Sequence, residues 1–289
     1  MPNFTFSLYY CQEIKLKIMI GVFDSGFGGL TILKELIKVL PEYDYYYFGD
    51  NARAPYGNRS PEAVQGYTDE AIEFLFKKGC KLVLVACNTA TGLSLRHSQQ
   101  KYLVTEEYKN HKILGVILPQ VESAIKVSKN NQIGVVGTRG TINSKSFDIE
   151  FHKLNPDLKI FSQACPLLTP IIEEGWENKV EARMILKKYL KPLQNTQIDT
   201  LVLGCTHYPV MHKYFKRYMG KHVKIINPGM EVANSLKNYL ARHPEVDEKL
   251  EKNSNLTITT SDDPERLRPL AERFLGLPIK NYYKVNLLG

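Results

Sequence analysis

The chain has 289 residues, with 38 Lys+Arg against 30 Asp+Glu, a net charge of +8. At 43% hydrophobic and 24% charged residues the composition is globular, which excludes a largely disordered chain and leaves room for two domains of ordinary size. The charge favours anionic partners, nucleic acids or small carboxylates, without choosing among them. Like charges never run to five in a row, so no basic tail marks a nucleic-acid binder. The five cysteines, Cys11, Cys80, Cys87, Cys165 and Cys205, are odd in number and form no CxxC pair. That usage suits a reducing cytoplasm rather than a disulfide scaffold. Apolar runs stay well short of the roughly 20 residues that span a bilayer. The first 17 residues lack a charged segment followed by an apolar core and do not read as a signal peptide. Strand-like sequence begins at Ile18 and Met19 is an alternative start, so residues 1–18 are set apart as a leader.

In chain order, KIMIGVF (17–23) reads as a buried strand, followed by a Gly-rich turn and a helix over 30–40. A second strand covers 43–49, and a helix over 61–79 ends at Gly79, a C-cap residue. KLVLVAC (81–87) is a third strand, followed by the helix NTATGLSLRHSQQKY, and 113–117 is a fourth strand. The plan then repeats. Helix 121–128, strand 132–138, helix 141–154 and strand 158–165 come first. A helical stretch from PIIEEGW to Leu190, strand 199–205, helix 212–220, strand 223–228 and helix 231–243 follow. Strand 255–262 and a helix over 264–276 close the series. Buried strands alternating with amphipathic helices predict an α/β fold with mainly parallel sheets covered by helices.

Two internal matches sharpen this. IGVFDSGFGGLTI (20–32) resembles IGVVGTRGTINSK (133–145), and LVLVACNTA (82–90) resembles LVLGCTHYP (201–209). Asp24 and Thr138 are 114 residues apart, Cys87 and Cys205 are 118 apart. A repeat at one domain length implies two similar α/β units. Parallel sheets bind ligands at the carboxyl ends of their strands, so each unit offers one cysteine at the expected position of a site. Both Cys87 and Cys205 sit between a buried strand and a helix start, where a thiol pKa is lowered, and a thiolate there is a competent base or nucleophile. Cys80 and Cys165 read as structural.

Other candidates are weaker alone. Asp24-Ser25-Gly26 before Gly28-Gly29 is either a helix cap or an anion-binding turn. The loop Asp50-Asn51-Ala52-Arg53-Ala54-Pro55-Tyr56-Gly57 either positions a ligand or merely turns. Thr206-His207 follows Cys205, and a histidine there tunes the thiol more readily than it binds a metal, because a zinc site needs three or four ligands. Glu173 and Glu174 form an acidic pair on a helix.

Six stretches in order, GVFDSGFGGLT, YFGDNARAPYG, LVLVACNTA, IGVVGTRGTI, CPLLTPIIEEG and LVLGCTHYP, together resemble the cofactor-independent glutamate racemases of the aspartate/glutamate racemase superfamily. The resemblance runs from residue 21 to residue 209. The C-terminal helical stretch matches only in character. It implies two pseudo-symmetric α/β domains with the active site in the cleft between them, here residues 19–114 plus 229–289 and residues 115–228. It implies Cys87 and Cys205 as opposed bases, Asp24 assisting Cys87 and His207 assisting Cys205. Glu173, chosen over Glu174 on spacing to Cys205, and Asp50 match further acidic positions. Ser25, Tyr56, Gly57, Asn88, Thr89, Thr138, Thr141 and Thr206, with Asp24 and His207, are implied around the substrate, L- or D-glutamate. The resemblance also implies no cofactor and no metal, a homodimer, a cytoplasmic location, no membrane association and a role in supplying D-glutamate for peptidoglycan. An aspartate racemase would carry Glu near the His207 position. Association with nucleic acid or gyrase is kept as a secondary reading of the +8 charge, although no nucleic-acid-binding signature is present.

Overall fold

The computed structural model describes residues 18–287. The leader reading and Cys11 therefore fall outside the described residues, apart from Ile18. The first elements are β1 (Met19–Asp24), α1 (Gly29–Val39), β2 (Tyr45–Gly49), α2 (Pro61–Lys77), β3 (Cys80–Val85), α3 (Asn88–Tyr102) and β4 (Lys112–Gly115). Next come α4 (Ile117–Val127), β5 (Gln132–Gly137), α5 (Arg139–Asn143), α6 (Ser146–Leu154), β6 (Lys159–Ala164) and α7 (Leu168–Glu173). They are followed by α8 (Val180–Gln194), β7 (Thr200–Gly204), α9 (His212–Met219) and β8 (Lys224–Ile226). The chain then runs through α10 (Pro228–Arg242), α11 (Pro244–Asp247), β9 (Leu256–Thr260), α12 (Pro264–Leu275) and β10 (Tyr282–Lys284).

These strands form two sheets, ordered β10-β9-β2-β1-β3-β4 and β6-β5-β7-β8. Every pairing is parallel. The repeat seen in the sequence is carried by topology. In each sheet the second strand of the unit lies outside the first, and the third and fourth follow on the other side. The order reverses between β1 and β3, and again between β5 and β7. Such switch points leave a crevice at the carboxyl ends of the strands. Cys87 follows β3 and Cys205 follows β7, so the topology brings both cysteines to equivalent crevices.

Local sequence accounts for the elements. The central strands β1, β3, β5 and β7 are buried almost throughout, as expected for parallel strands covered on both faces. Helix α1 buries Leu30, Leu33 and Leu36 on one stripe, each contributing about 1.5–3 kcal/mol of apolar burial, and packs along α10. Helix α2 has Ser60 as N-cap, its side chain accepting from Ala63 N–H, with Pro61 at the first position. It stops where expected, Gly79 adopting φ +93° just beyond it. The hydroxyl of Thr31 on α1 lies 2.8 Å from the carbonyl of Gly28 and 2.9 Å from that of Thr206. It thereby fastens the turn after β1 to the loop after β7.

Several expected boundaries move. The helix expected over 141–154 is two, α5 and α6. Lys145 between them is left-handed, with φ +57°, and Ser146 turns its hydroxyl onto the Gly92 carbonyl of α3 at 2.7 Å. The helical stretch to Leu190 is also two, because Gly175 (φ +74°) ends α7. There Gly175 N–H donates to Ile172 O and Trp176 N–H to Ile171 O, the paired bonds of a glycine-terminated helix. Helix α10 begins at Pro228 rather than residue 231, because Asn227 caps it and Pro suits its first position. Helix α4 begins at Ile117, inside the expected fourth strand. A strand, β10, follows the last helix. At three residues it is too short to show periodicity, and it forms the sheet edge by pairing Tyr282 with Ile258 on β9. Among the described residues, no helix is long and apolar enough to cross a membrane.

Candidate active site

Between the two sets of strand ends lies a cavity of about 80 Å³. Its lining includes Ser25, Tyr56, Gly57, Cys87, Asn88, Thr89, Thr138, Cys205, Thr206 and His207, ten of the residues the motifs single out. A much larger cavity of about 610 Å³ lies elsewhere, walled by Leu84, Thr91, Leu95, Ile117, Leu236 and Tyr239 among others. None of the described cysteines lines it, so size and chemistry point to different places, and chemistry decides.

Cys87 is the N-cap of α3, and its Sγ accepts from Ala90 N–H at 3.5 Å. Ser25 Oγ is 3.4 Å from the same sulfur. Burial, reinforced by the nearby Asp24 carboxylate, pushes this thiol up to about 12 against the help of Ser25 and the Ala90 amide. Asp24 is fully buried. Its Oδ2 accepts from Gly26 N–H at 2.9 Å, and its Oδ1 has no partner among the described residues. Burial raises its carboxyl, outweighing the attraction of His207 and the Gly29 and Gly26 amides.

Cys205 is held differently. The sequence predicts a helix start beside both cysteines. After Cys205, however, the chain makes a turn and a 3-10 segment at Tyr208–Met211 before α9 begins, so no α-helix N-terminus reaches the sulfur. Its neighbours are side chains, Thr169 Oγ1 at 3.7 Å and His207 Nδ1 at 3.8 Å. His207 Nε2 is 2.9 Å from Glu173 Oε1. Glu174, by contrast, is exposed at the end of α7, so Glu173 is the member of the pair that reaches the site. Burial disfavours charge on His207, but its hydrogen bonds to Cys205 and Glu173 outweigh that and raise the imidazole to about 10. Cys80 and Cys165 are buried thiols pushed well up by desolvation, as inert core cysteines are.

Beside the cavity, Thr89, Thr138 and Thr141 form a triangle of hydroxyls 2.9–3.0 Å apart. Thr138 caps α5 and Thr89 lies in the first turn of α3, so the triangle joins the two units. Thr141 lies behind the other two. Asn88 offers a buried Nδ2 with no partner among the described residues, its Oδ1 being taken by Gln120 at 2.8 Å. Asp50 stands one layer back. Its Oδ2 accepts from Tyr56 OH at 2.5 Å and from Arg53 Nε at 2.6 Å, and its Oδ1 accepts from Ser261 at 2.7 Å. It therefore holds the loop that carries Tyr56 and Gly57. The approach of the two units is close. A Cβ at Gly28 would sit 2.0 Å from Thr206 Oγ1 and 2.6 Å from His207 Nδ1, so only glycine fits there. The motif reading singled out neither Thr169 nor Pro166 and Pro170 beside it, although all three stand within CPLLTPIIEEG. Among the described residues, no three His, Cys, Asp or Glu side chains gather as a metal site would require.

A family model described as Asp/Glu/Hydantoin racemase matches residues 28–236. A glutamate racemase from Geobacter metallireducens is 39% identical over 268 residues, 93% of this chain and 96% of its own. This chain belongs to the glutamate racemase family. The solved structures agree. Glutamate racemase isoform RacE1 from Bacillus anthracis superposes with a TM-score of 0.86 at 39% identity, over 94% of this chain and 98% of its own. The glutamate racemase of Francisella tularensis, solved in complex with D-glutamate, gives 0.85 at 32% identity over the same shares. As a glutamate racemase the chain is an isomerase. The family model stops at residue 236, short of β9, α12 and β10, while the match to the Geobacter protein continues past it.

Proposed function

We propose that the protein interconverts L- and D-glutamate by two-base proton transfer, with Cys87 and Cys205 as the bases. The observation that carries this is the pair of cysteines, one from each sheet, lining one small cavity. Inverting the α-carbon requires removing a proton from one face and returning one to the other. Two fixed groups do this without turning the substrate over. One sulfur, as thiolate, takes the α-proton and becomes a thiol, while the other, as thiol, delivers its proton to the opposite face and becomes the thiolate. The sulfurs end with exchanged roles, ready for the other enantiomer.

The α-proton of an amino acid is a weak acid, so the carbanion needs preorganised donors in a site shielded from water. The unpartnered Asn88 Nδ2, the three threonine hydroxyls, Thr206 and the free N–H groups at the start of α3 supply them. Asp24, with one unpartnered oxygen, suits the substrate ammonium, and Ser25, Tyr56 and Gly57 complete the wall. Asp24 assists proton transfer at Cys87. His207, backed by Glu173, gives the Cys205 proton a place to reside. Asp50 supports the site through Tyr56. Two domains, residues 19–114 with 229–289 and residues 115–228, hold the two cysteines. We assign the product D-glutamate to peptidoglycan synthesis in the cytoplasm, and the working form to a homodimer.

The test is L-glutamate in D₂O with protein stripped of metal and cofactor, followed by NMR for α-deuteration and by circular dichroism. Both signals are expected to change, with L-aspartate inert. A folded, reduced protein that exchanges nothing would overturn the reading, and turnover of L-aspartate alone would move it to the aspartate branch.

A further inference from the structure

His207 and Glu173 come from the second unit, yet their surroundings are closed by α12, which follows β9 of the first sheet. Phe274 packs edge-on against the His207 imidazole, with centroids 5.2 Å apart and planes at 73°. Phe27, in the turn after β1, stacks on Phe274 with ring centroids 6.2 Å apart. Phe274 is buried, so an apolar edge rather than water lies beside the imidazole. The residue before it, Arg273, donates to the carbonyl of Ile172, the neighbour of Glu173, and sits 3.5 Å from Glu177. A Cβ at Gly175 would come 3.0 Å from the same guanidinium. Two consecutive side chains thus hold both members of the hydrogen-bonded pair, one through its ring and the other through its backbone.

We propose that Arg273 and Phe274 are positioning residues of the reaction: α12 fixes the His207–Glu173 pair beside Cys205, and so governs the proton transfer made at that sulfur. This rests on the two-cysteine reading above. A histidine held on one nitrogen by a carboxylate must keep its other nitrogen aimed at the sulfur, and displacement of a proton-handling group by an ångström costs up to a hundredfold in rate. Neither residue lines the cavity, and both lie beyond the stretch the family model matches.

The variants are Arg273→Gln and Phe274→Leu, compared with His207→Gln. The isotope effect on kcat/KM is measured for α-deuterated L- and D-glutamate separately. Because the two substrates are enantiomers, kcat/KM must be equal in both directions, and isotope effects show which transfer limits the rate. Slowing the Cys205 transfer raises the effect for the enantiomer whose proton Cys205 removes. It lowers the effect for the other enantiomer towards the equilibrium isotope effect, because removal of that proton becomes a pre-equilibrium. Both variants are expected to lose roughly tenfold in kcat/KM and to move the two effects in opposite directions, in the same sense as His207→Gln. Arg273→Lys, which still donates to Ile172 O, should restore the wild-type values. Adding Arg273→Gln to His207→Gln should cost little more than the histidine change alone. A loss of activity that leaves both isotope effects unmoved, or full activity in Arg273→Gln and Phe274→Leu, overturns the proposal. Failure of the two-cysteine reading shows in a different variant, as full racemisation by Cys205→Ala.

Discussion

The Cys87 half and the Cys205 half of the cavity are built on the same strand order, with a cysteine at the same place in each, and yet they hold their sulfurs by different means. Cys87 is gripped by backbone, as the cap of a 15-residue helix, with the Ser25 hydroxyl beside it and a buried carboxylic group nearby. Cys205 has no helix start. It is gripped by side chains, in a line from Thr169 and His207 to Glu173. A duplicated framework therefore fixes where the two sulfurs stand, while the loops after β3 and β7 set what surrounds each one. The amino ends of the sheets show the opposite pattern. Asp44 accepts from Asn253 and Asn255 at the foot of the first sheet. Asp199 accepts from Lys129, Asn130 and Ser128 at the foot of the second. Each foot is thus fastened by a carboxylate that accepts from N–H groups of a neighbouring loop.

The largest effect expected from breaking this comparison is loss of either sulfur. Cys87→Ala and Cys205→Ala should each lower racemisation by roughly 10²–10⁴-fold in both directions, measured by circular dichroism from either enantiomer. Full activity in either variant would end the two-base assignment. Next is Gly28→Ala. Its Cβ would collide with Thr206 and His207 and should cost up to about a hundredfold in kcat with the fold intact by far-UV circular dichroism. An unchanged kcat would mean that the units separate at no cost.

The asymmetry itself is read by alkylation. With its thiol held at about 12, Cys87 should react slowly at pH 8, its rate rising about tenfold per pH unit as far as pH 10, since only the thiolate reacts. Cys205, beside an imidazole raised to about 10, should react faster at neutral pH, and His207→Asn should remove most of that advantage. Peptide mapping after iodoacetamide treatment gives both rates, and equal rates in the wild type would contradict the two environments. The smallest effects belong to the feet. Burial works to raise the Asp44 and Asp199 carboxyls, but their hydrogen bonds outweigh it and hold both below the ordinary value. The stability they contribute is therefore present above an unfolded value of about 3.9 and lost as pH falls through the folded one. Asp44→Asn and Asp199→Asn should each cost about 1–2 kcal/mol at pH 7 and much less at pH 3, by urea unfolding. Equal deficits at the two pH values would assign the cost to packing instead.

Much of this was legible from residues alone, for a local reason. Buried parallel strands are short apolar runs, and the carboxyl ends of such strands carry their cavity-lining residues within a few positions. Asp24-Ser25, Cys87-Asn88-Thr89 and Cys205-Thr206-His207 are thus each written as one contiguous stretch, and the repeat itself announces two similar units. Legibility ended where a role depends on contact across the chain. Spacing to Cys205 favoured Glu173 over Glu174 but could not give its contact, because which one reaches His207 depends on where Gly175 ends α7. Asp50 stands beside Tyr56 in the sequence, yet its place one layer behind the cavity depends on Ser261, 211 residues away. Arg273 and Phe274 carry no motif at all. The sequence by itself determined the alternation of elements, the duplication and the residues at the strand ends, because these follow from periodicity and turn chemistry over short distances. Only the tertiary structure decided which neighbours each cysteine has, because the packing of α7, α12 and the 3-10 segment at Tyr208–Met211 is settled by side chains that meet across the two units.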